Sequence, residues 1–420
     1  MRATTPWITA LAFAAMAFSP AGRADTGDQG FTDTQVSLGS SCAASGNLAS
    51  FQTTCAGEAA YFRYVNEELG GVRMADGKTR RIKFTWYDDA YSPPKTLENA
   101  KRLVEQDRVA AVFGFLGTAT SLAARDWLNQ QQVPELFVAS GAPTFGFDRD
   151  KYPWSVSGQV AYSLEGTIYG DFVKGQKPNA TVAVIYQNDD FGRSLLGAFE
   201  EAIKGSDVKV VAKQNYEAST ASVASQITTL AASNADYLMV FTIPKFAIQT
   251  LQKANQLGWK PTVVLNSITA SVEAVLKPAG LETATGAYSV VYVMDPSNPA
   301  FKDTEGMKLY ERVVGKYAPS NLNPKDPQSM VGFTLAQMMV AALERTREPT
   351  RAALLDAAMH LDRVKIDGLV PGMTVTTNGA ADPFPLESMQ IEKFNGASYD
   401  MVGDLITRYE GKTPRIAPRP

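Results

Sequence analysis

Residue types able to do covalent chemistry are scarce in this 420-residue chain, which has one histidine, His360, and two cysteines, Cys42 and Cys55. Hydrolytic templates built on a Ser-His or Cys-His pair need an imidazole beside the nucleophile. His360 instead follows the apolar helical run 354–359 and reads as a helix C-terminal cation or a surface residue. Cys42 and Cys55 sit 13 positions apart in a Gly/Ser/Ala-rich segment. In an exported chain they are expected to pair with each other, with two free thiols or a shared metal as the alternatives. A zinc site would lack its remaining ligands, because His360 lies far downstream. No phosphate loop ending in lysine-serine and no dinucleotide fingerprint occurs, and Gly114-Phe115-Leu116-Gly117 is too sparse to count as one. Nothing points to catalysis or to a cofactor.

Groups suited to holding a ligand are better represented. Tyr87-Asp88-Asp89-Ala90-Tyr91-Ser92-Pro93-Pro94 joins the alternating, aromatic-rich run 81–87 to a segment with apolar Leu97, Ala100, Leu103 and Val104 at helical spacing. The segment is therefore a strand, an acidic turn and a helix opened by prolines. The competing reading of Asp88 and Asp89 is that they only cap that helix. Further on, the short apolar strand 110–115 runs into the hydroxyl-rich Thr118-Ala119-Thr120-Ser121, and the strand 135–139 into Ser140-Gly141-Ala142-Pro143.

Positioning such groups requires a repeated strand–helix pattern, and the chain has two runs of it. The first contains strand 34–39, helix 57–69 ended by Gly70-Gly71, the strand and helix around Asp88, strand 110–115 with a helix to 131, and strand 135–139. The second has helix 160–174, strand 181–186, helix 191–204, strand 208–212, helix 221–232, strand 237–241, helix 245–257 and strand 262–265. Helices at 298–317, 328–346 and 350–360 and strands at 374–377 and 388–394 complete the pattern. Right-handed crossovers make this an α/β protein with two doubly wound parallel sheets. Ligands of such sheets lie at the carboxyl ends of the strands, here the loops 40–56, 87–94, 116–121, 140–147, 187–191, 242–246 and 266–271. Helix N-termini converging there favour an anion such as a carboxylate.

Residues 1–24 run from Arg2 through an apolar stretch to Gly22-Arg23-Ala24, the pattern of a secretory signal cleaved near Ala24. Its removal takes away Arg2 and Arg23 and leaves 38 basic against 43 acidic residues, a net charge of −5. That balance disfavours nucleic acid and anionic membrane as partners. The remaining length exceeds what one core ordinarily supports, so two lobes are expected. Residues 409–420, rich in proline, are expected to form a loose tail.

With these motifs in place, the chain resembles the periplasmic solute-binding proteins of the Leu/Ile/Val-binding family, which feed ABC importers. The similarity extends over residues 33–405. It rests on Tyr87-Asp88-Asp89-Ala90 with Pro93, Val112-Phe113-Gly114 with Thr118-Ala119-Thr120-Ser121, Phe191-Gly192 after Tyr186-Gln187-Asn188-Asp189-Asp190, and Asn255-Gln256-Leu257-Gly258. The resemblance implies a type I periplasmic-binding fold, two α/β lobes joined by a three-strand hinge with crossovers near 156–159, 284–290 and 366–376. Residues 31–156 plus 288–368 would form lobe 1, and 157–287 plus 369–408 lobe 2. It also implies a monomer working with a permease and an ATPase at the inner membrane. A ligand carboxylate would be held by Thr118, with Thr120 nearby, and by Ser140 and Ala142.

Departures from the family pattern bear on the ligand. Positions where the amino-acid binders commonly place cleft tyrosines are Phe51, Phe191 and Phe333 here, for which core burial is the competing reading. The loop that supplies an acid for a ligand ammonium reads Leu265-Asn266-Ser267-Ile268-Thr269, with no carboxylate until Glu273. Tyr162, Gln159 and Tyr186 are further sources of hydrogen bonds. A buried ammonium without a paired anion is costly, so the expected ligand is a small hydrophobic or aromatic carboxylate rather than a zwitterion. A branched-chain amino acid is the rival ligand, and a ligand-sensing receptor module the rival role.

Overall fold

The computed structural model describes residues 29–320 and 322–416, so the export signal read at residues 1–24 lies outside the described residues. Two sheets organise the rest. The first holds β1 (Gln35–Cys42), β2 (Val72–Arg73), β3 (Thr79–Asp88), β4 (Ala111–Phe113), β5 (Glu135–Val138) and β6 (Ser155–Ser157) in the order β2-β3-β1-β4-β5-β6. The second holds β7 (Thr181–Gln187), β8 (Lys209–Tyr216), β9 (Tyr237–Phe241), β10 (Thr262–Leu265), β11 (Tyr288–Val291), β12 (Met389–Phe394) and β13 (Tyr399–Ile406) in the order β13-β12-β11-β10-β9-β7-β8. Pairings are parallel except at the edges, where β2 runs against β3 and β12 against both β11 and β13. Central strands covered by helices on both faces have no polar alternation. All of Tyr237-Leu238-Met239-Val240-Phe241 and Glu135-Leu136-Phe137-Val138 is buried.

After β11 the chain leaves the second sheet. The helices Glu305–Tyr317 and Pro327–Arg345 then pack on Gln52–Glu68 of the first lobe before β12 and β13 return to the second. That packing is tight enough to need glycine at both faces. A Cβ on Gly332 would stand 1.9 Å from Thr54 O, and one on Gly57 2.1 Å from Ser329 O.

Several expected elements differ. Residues 374–377 make only the isolated bridge Val364↔Val375, not a strand. β6, β11 and β13 are strands that the apolar pattern did not mark, short or at an exposed edge. The helix expected from 298 starts at Glu305, where the Thr304 side chain accepts from Met307 N. The tail is also less free than its composition suggests. Tyr409 Oη donates to Asp171 at 2.7 Å, Glu410 accepts from Ser388, and Glu387 accepts from Gly411 N and Thr413.

Candidate functional site

Register brings the acidic turn to the end of the first sheet. β1 pairs with β3 from Gln35↔Arg81 to Cys42↔Asp88, so the two strands end together beneath the turn. Asp88 Oδ1 accepts from Ala44 N at 2.8 Å, Ser45 N at 3.2 Å and Ala90 N at 2.9 Å. Asp89 is fully buried and accepts from Ser41 Oγ at 2.7 Å, Thr96 Oγ1 at 3.0 Å and Tyr91 N at 2.8 Å. Burial raises the Asp89 pKa against these donors. Neither acid caps the helix Pro93–Glu105, whose N-cap Ser92 makes no side-chain cap. They hold Ala90 and Tyr91 in the left-handed region, at φ 51° and 58°, a conformation non-glycine residues adopt only under constraint. The result is that Tyr91 points across the cleft, where its phenol meets Gln187 and the charge of Asp189 in the second lobe.

The Cys42–Cys55 disulfide is formed, with the Cα atoms 6.3 Å apart, and it joins the end of β1 to the start of the helix Gln52–Glu68. Both sulfurs lie near the Glu58 carboxylate, but the S–S bond leaves neither as a thiolate ligand. The loop it closes carries Phe51 into the cleft and Gly46 and Leu48 to its mouth.

Between the lobes lies a small cavity of about 30 Å³, room for one or two waters. Phe51, Tyr91, Leu116, Gly117, Thr118 and Ala139 wall it on the first-lobe side. Tyr162, Phe191, Ile243 and Ile268 face them, and Gln159 and Gln328 close the hinge side. Tyr162 and Phe191 meet edge to face at 5.0 Å. Tyr91 and Ile243 also line an open groove bounded by Ser92, Pro93, Glu217 and Lys245, the mouth of the cleft.

The polar end of this cavity is built from hydroxyls. Thr118 Oγ1 and Ser140 Oγ are 2.7 Å apart and buried, and Ala142 N donates to Ser140 Oγ at 3.1 Å. The Tyr162 phenol also faces these hydroxyls, and burial pushes its pKa up to about 12. Thr118 opens the helix Thr118–Gln130, whose N-cap Gly117 (φ 96°) offers no side chain, so its first N–H groups keep their partial positive charge. The second-lobe helix Asp190–Ile203 is different. Its N-cap Asp189 accepts from Phe191 N and Gly192 N and places a carboxylate where an anion would otherwise sit. An anion is therefore favoured on the first lobe and repelled from the second.

Of the residues singled out in the sequence, Thr118, Phe51, Phe191 and Tyr162 line the cavity, and Ser140 and Ala142 stand behind Thr118. Three do not. Thr120 spends its hydroxyl on Leu116 O at 2.5 Å, within its own helix start. Asn266 is turned into its loop, donating to Thr242 O at 2.8 Å and Val240 O at 3.2 Å, and Ile268 of the same loop reaches the cleft instead. Phe333 is fully buried between Tyr61 and Tyr310, at 4.8 and 5.5 Å between ring centres. Tyr186 is also absent from the lining, whereas Gln159 is part of it. An acid does stand under the 266–269 loop, but it comes from another element. Glu165, buried, accepts from Ser267 N at 2.7 Å, Ser267 Oγ at 3.0 Å and Tyr169 Oη at 2.8 Å. Tyr91, Gln328, Ile243 and Ile268 were not singled out. Only Tyr91 carried a signal, its place in the acidic turn.

The profile of the family described as "Periplasmic binding protein" matches residues 35–393. A "Leu/Ile/Val-binding protein homolog 7" of Brucella suis biovar 1 (strain 1330) is 22% identical over 283 residues, 65% of this chain and 69% of that protein. A branched-chain amino acid ABC transporter protein from Thermus thermophilus with bound valine superposes with a TM-score of 0.75 at 17% identity, covering 89% of this chain and 97% of that one. A solute-binding protein of an R. palustris ABC transporter, in complex with benzoate, does so with 0.71 at 16% identity, covering 88% and 96%. Two wound sheets, a cleft lined from both lobes and a profile match over most of the length agree, and the chain belongs to the periplasmic binding protein family.

Proposed function

We propose that this protein is the substrate-binding component of an ABC importer, exported to the periplasm, which captures a small carboxylate with an apolar or aromatic body and presents the closed form to its permease. The observation that carries the ligand class is the Thr118 hydroxyl, which lines a cavity walled by Phe51, Tyr91, Tyr162 and Phe191 at a helix start without a side-chain cap and is backed by the Ser140 hydroxyl. Neutral hydroxyls and N–H groups hold an anion without a fixed countercharge. Ligand contacts to both lobes favour the closed form by the difference in affinity between the two states, and that difference is the mechanism. Tyr91, spanning to Gln187, is the residue through which closure is felt.

A branched-chain amino acid is the second reading, favoured by the names of the relatives. Thermal unfolding with benzoate, 4-methylpentanoate and leucine separates the two, because 4-methylpentanoate is leucine without its ammonium. At 100 times its Kd a ligand stabilises by about 2.7 kcal/mol. Stabilisation by the two acids and not by leucine is expected. Leucine outperforming 4-methylpentanoate refutes the ligand reading.

A further inference from the structure

Behind the ligand cavity lies a second one of about 50 Å³, sharing Gln159, Ile268 and Gln328 with it as a common wall. Its sides are largely apolar, with Val290, Val293 and Val331 among them, yet two carboxyl groups line it, Asp295 and Glu392. Glu392 is 3% exposed on β12, opposite Ser289 of β11. Among the described residues no hydrogen-bond donor or cation acts on its carboxyl, which feels only burial and the charge of Asp295. Asp295 is 7% exposed and, among the described residues, accepts only from Ser297, with Ser297 N at 2.7 Å. No lysine, arginine or histidine lines the chamber.

Carboxyl groups are rarely kept in an apolar chamber without a cation or a shared proton, since burial penalises their charged form. The cost is tolerated where a ligand supplies the missing partner. Glu392 sits on a strand that returns to the second sheet and Asp295 follows β11, so both acids belong to the hinge side of the cleft.

We infer that the ligand carries a second polar end, an amine, which passes the Gln159–Ile268–Gln328 wall and terminates on Asp295 and Glu392. This rests on the carboxylate reading above and deepens it. The carboxylate stays at Thr118 and Ser140, the apolar body spans the aromatic cavity, and the cationic group lies at the far end of the body rather than on the carbon beside the carboxylate. The Asp295 carboxyl is raised to about 6 by burial and Glu392 is raised well above the usual carboxylate range by burial and by Asp295. An ammonium lying between the two would supply the countercharge that burial denies them. The substrate class is then an ω-amino carboxylate, and α-amino acids are excluded because their ammonium would remain in the outer cavity.

Calorimetry on the mature protein tests this with two matched pairs, benzoate against 4-(aminomethyl)benzoate and hexanoate against 6-aminohexanoate, with benzylamine and hexylamine as carboxylate-free probes. In the wild type the amine-bearing acid of at least one pair is expected to bind about tenfold or more tighter than its parent, the scale of a charged hydrogen bond. Glu392→Gln and Asp295→Asn are each expected to bring the members of that pair within about twofold. The wild-type comparison needs no substitution, so a poorly folding variant does not spoil it. Parent acids that bind as tightly as the amino acids overturn the inference while leaving the carboxylate reading standing. A preference that survives both substitutions also overturns it. Binding of the plain amines but of no acid, lost in Glu392→Gln, supports the inner site and overturns the outer one. Silence of all six compounds at millimolar concentration overturns both.

Discussion

The Thr118–Ser140 pair makes a quantitative prediction because its two hydroxyls are bonded to each other, 2.7 Å apart. Ala142 N also donates to Ser140 Oγ, and either hydroxyl can be the donor in the bond between the two. A carboxylate arriving there takes a charge-assisted bond from each hydroxyl, about 1.5–3 kcal/mol apiece, and breaks the neutral bond between them, about 1 kcal/mol. The pair then contributes roughly 2–5 kcal/mol to binding. Removing one hydroxyl, by Thr118→Val or Ser140→Ala, deletes one charge-assisted bond but also the bond that had to break. The net loss is about 0.5–2 kcal/mol, roughly 2- to 30-fold in Kd. The double substitution loses the whole contribution, which exceeds the sum of the single losses by about 1 kcal/mol. Calorimetry with benzoate on the four proteins, each checked by its melting curve, reads this coupling directly. Losses that simply add, or single losses below twofold, refute the assignment of these hydroxyls to the anion.

Three further predictions concern stability. Gly332→Ala drives a Cβ to within 1.9 Å of Thr54 O and should cost about 1–3 kcal/mol or more in urea unfolding, whereas Gly175→Ala, exposed in the helix Tyr162–Gln176 with no atom nearby, should be neutral or gain up to about 1 kcal/mol; equal effects at the two sites would contradict the packing argument. Replacing Cys42 and Cys55 together by serine releases a link across 13 positions and should cost about 3 kcal/mol by loop entropy, with weaker ligand binding as the Phe51 loop loosens; an unchanged melting curve would show that neighbouring contacts alone hold the loop. Asp295, raised to about 6 by burial with Ser297 opposing the shift and Asp326 and Glu273 adding to it, retains in the folded protein a proton that the unfolded chain releases near 3.8. The stability this gives is fully present below pH 3.8 and lost as pH rises through 6, about 3 kcal/mol in all. Relative to Asp295→Asn, the wild type should thus lose stability between pH 4 and 6.5, and parallel denaturation profiles would refute it.

What could be read in the sequence depended on whether local pattern decided the outcome. β9 is an unbroken apolar run between polar turns, and the hydroxyls of Thr118 and Ser140 each come shortly after a buried, mainly apolar strand, so the strand ends and the hydroxyls beyond them could be read from local pattern. Phe333 shows where that logic stops. Its helix, Pro327–Arg345, is buried from Ser329 to Leu343, so no polar face tells which side meets the cleft. The aromatic ring went to Tyr61 and Tyr310, while Gln328, a polar residue in the first turn, reached the cavity. Tyr91 failed for the opposite reason. Its direction is set by a left-handed backbone that is unfavourable for tyrosine by itself and exists because Asp88 and Asp89 hold it. Glu392 lies in Met389-Gln390-Ile391-Glu392-Lys393-Phe394, where an acid flanked by Ile391 and Lys393 reads as solvent-facing. Its burial follows from the pairing of β12 between β11 and β13, two strands whose own sequences gave little sign of themselves. Local pattern thus located the hydroxyls proposed to hold an anion, while the burial of Glu392 became visible only through long-range strand pairing.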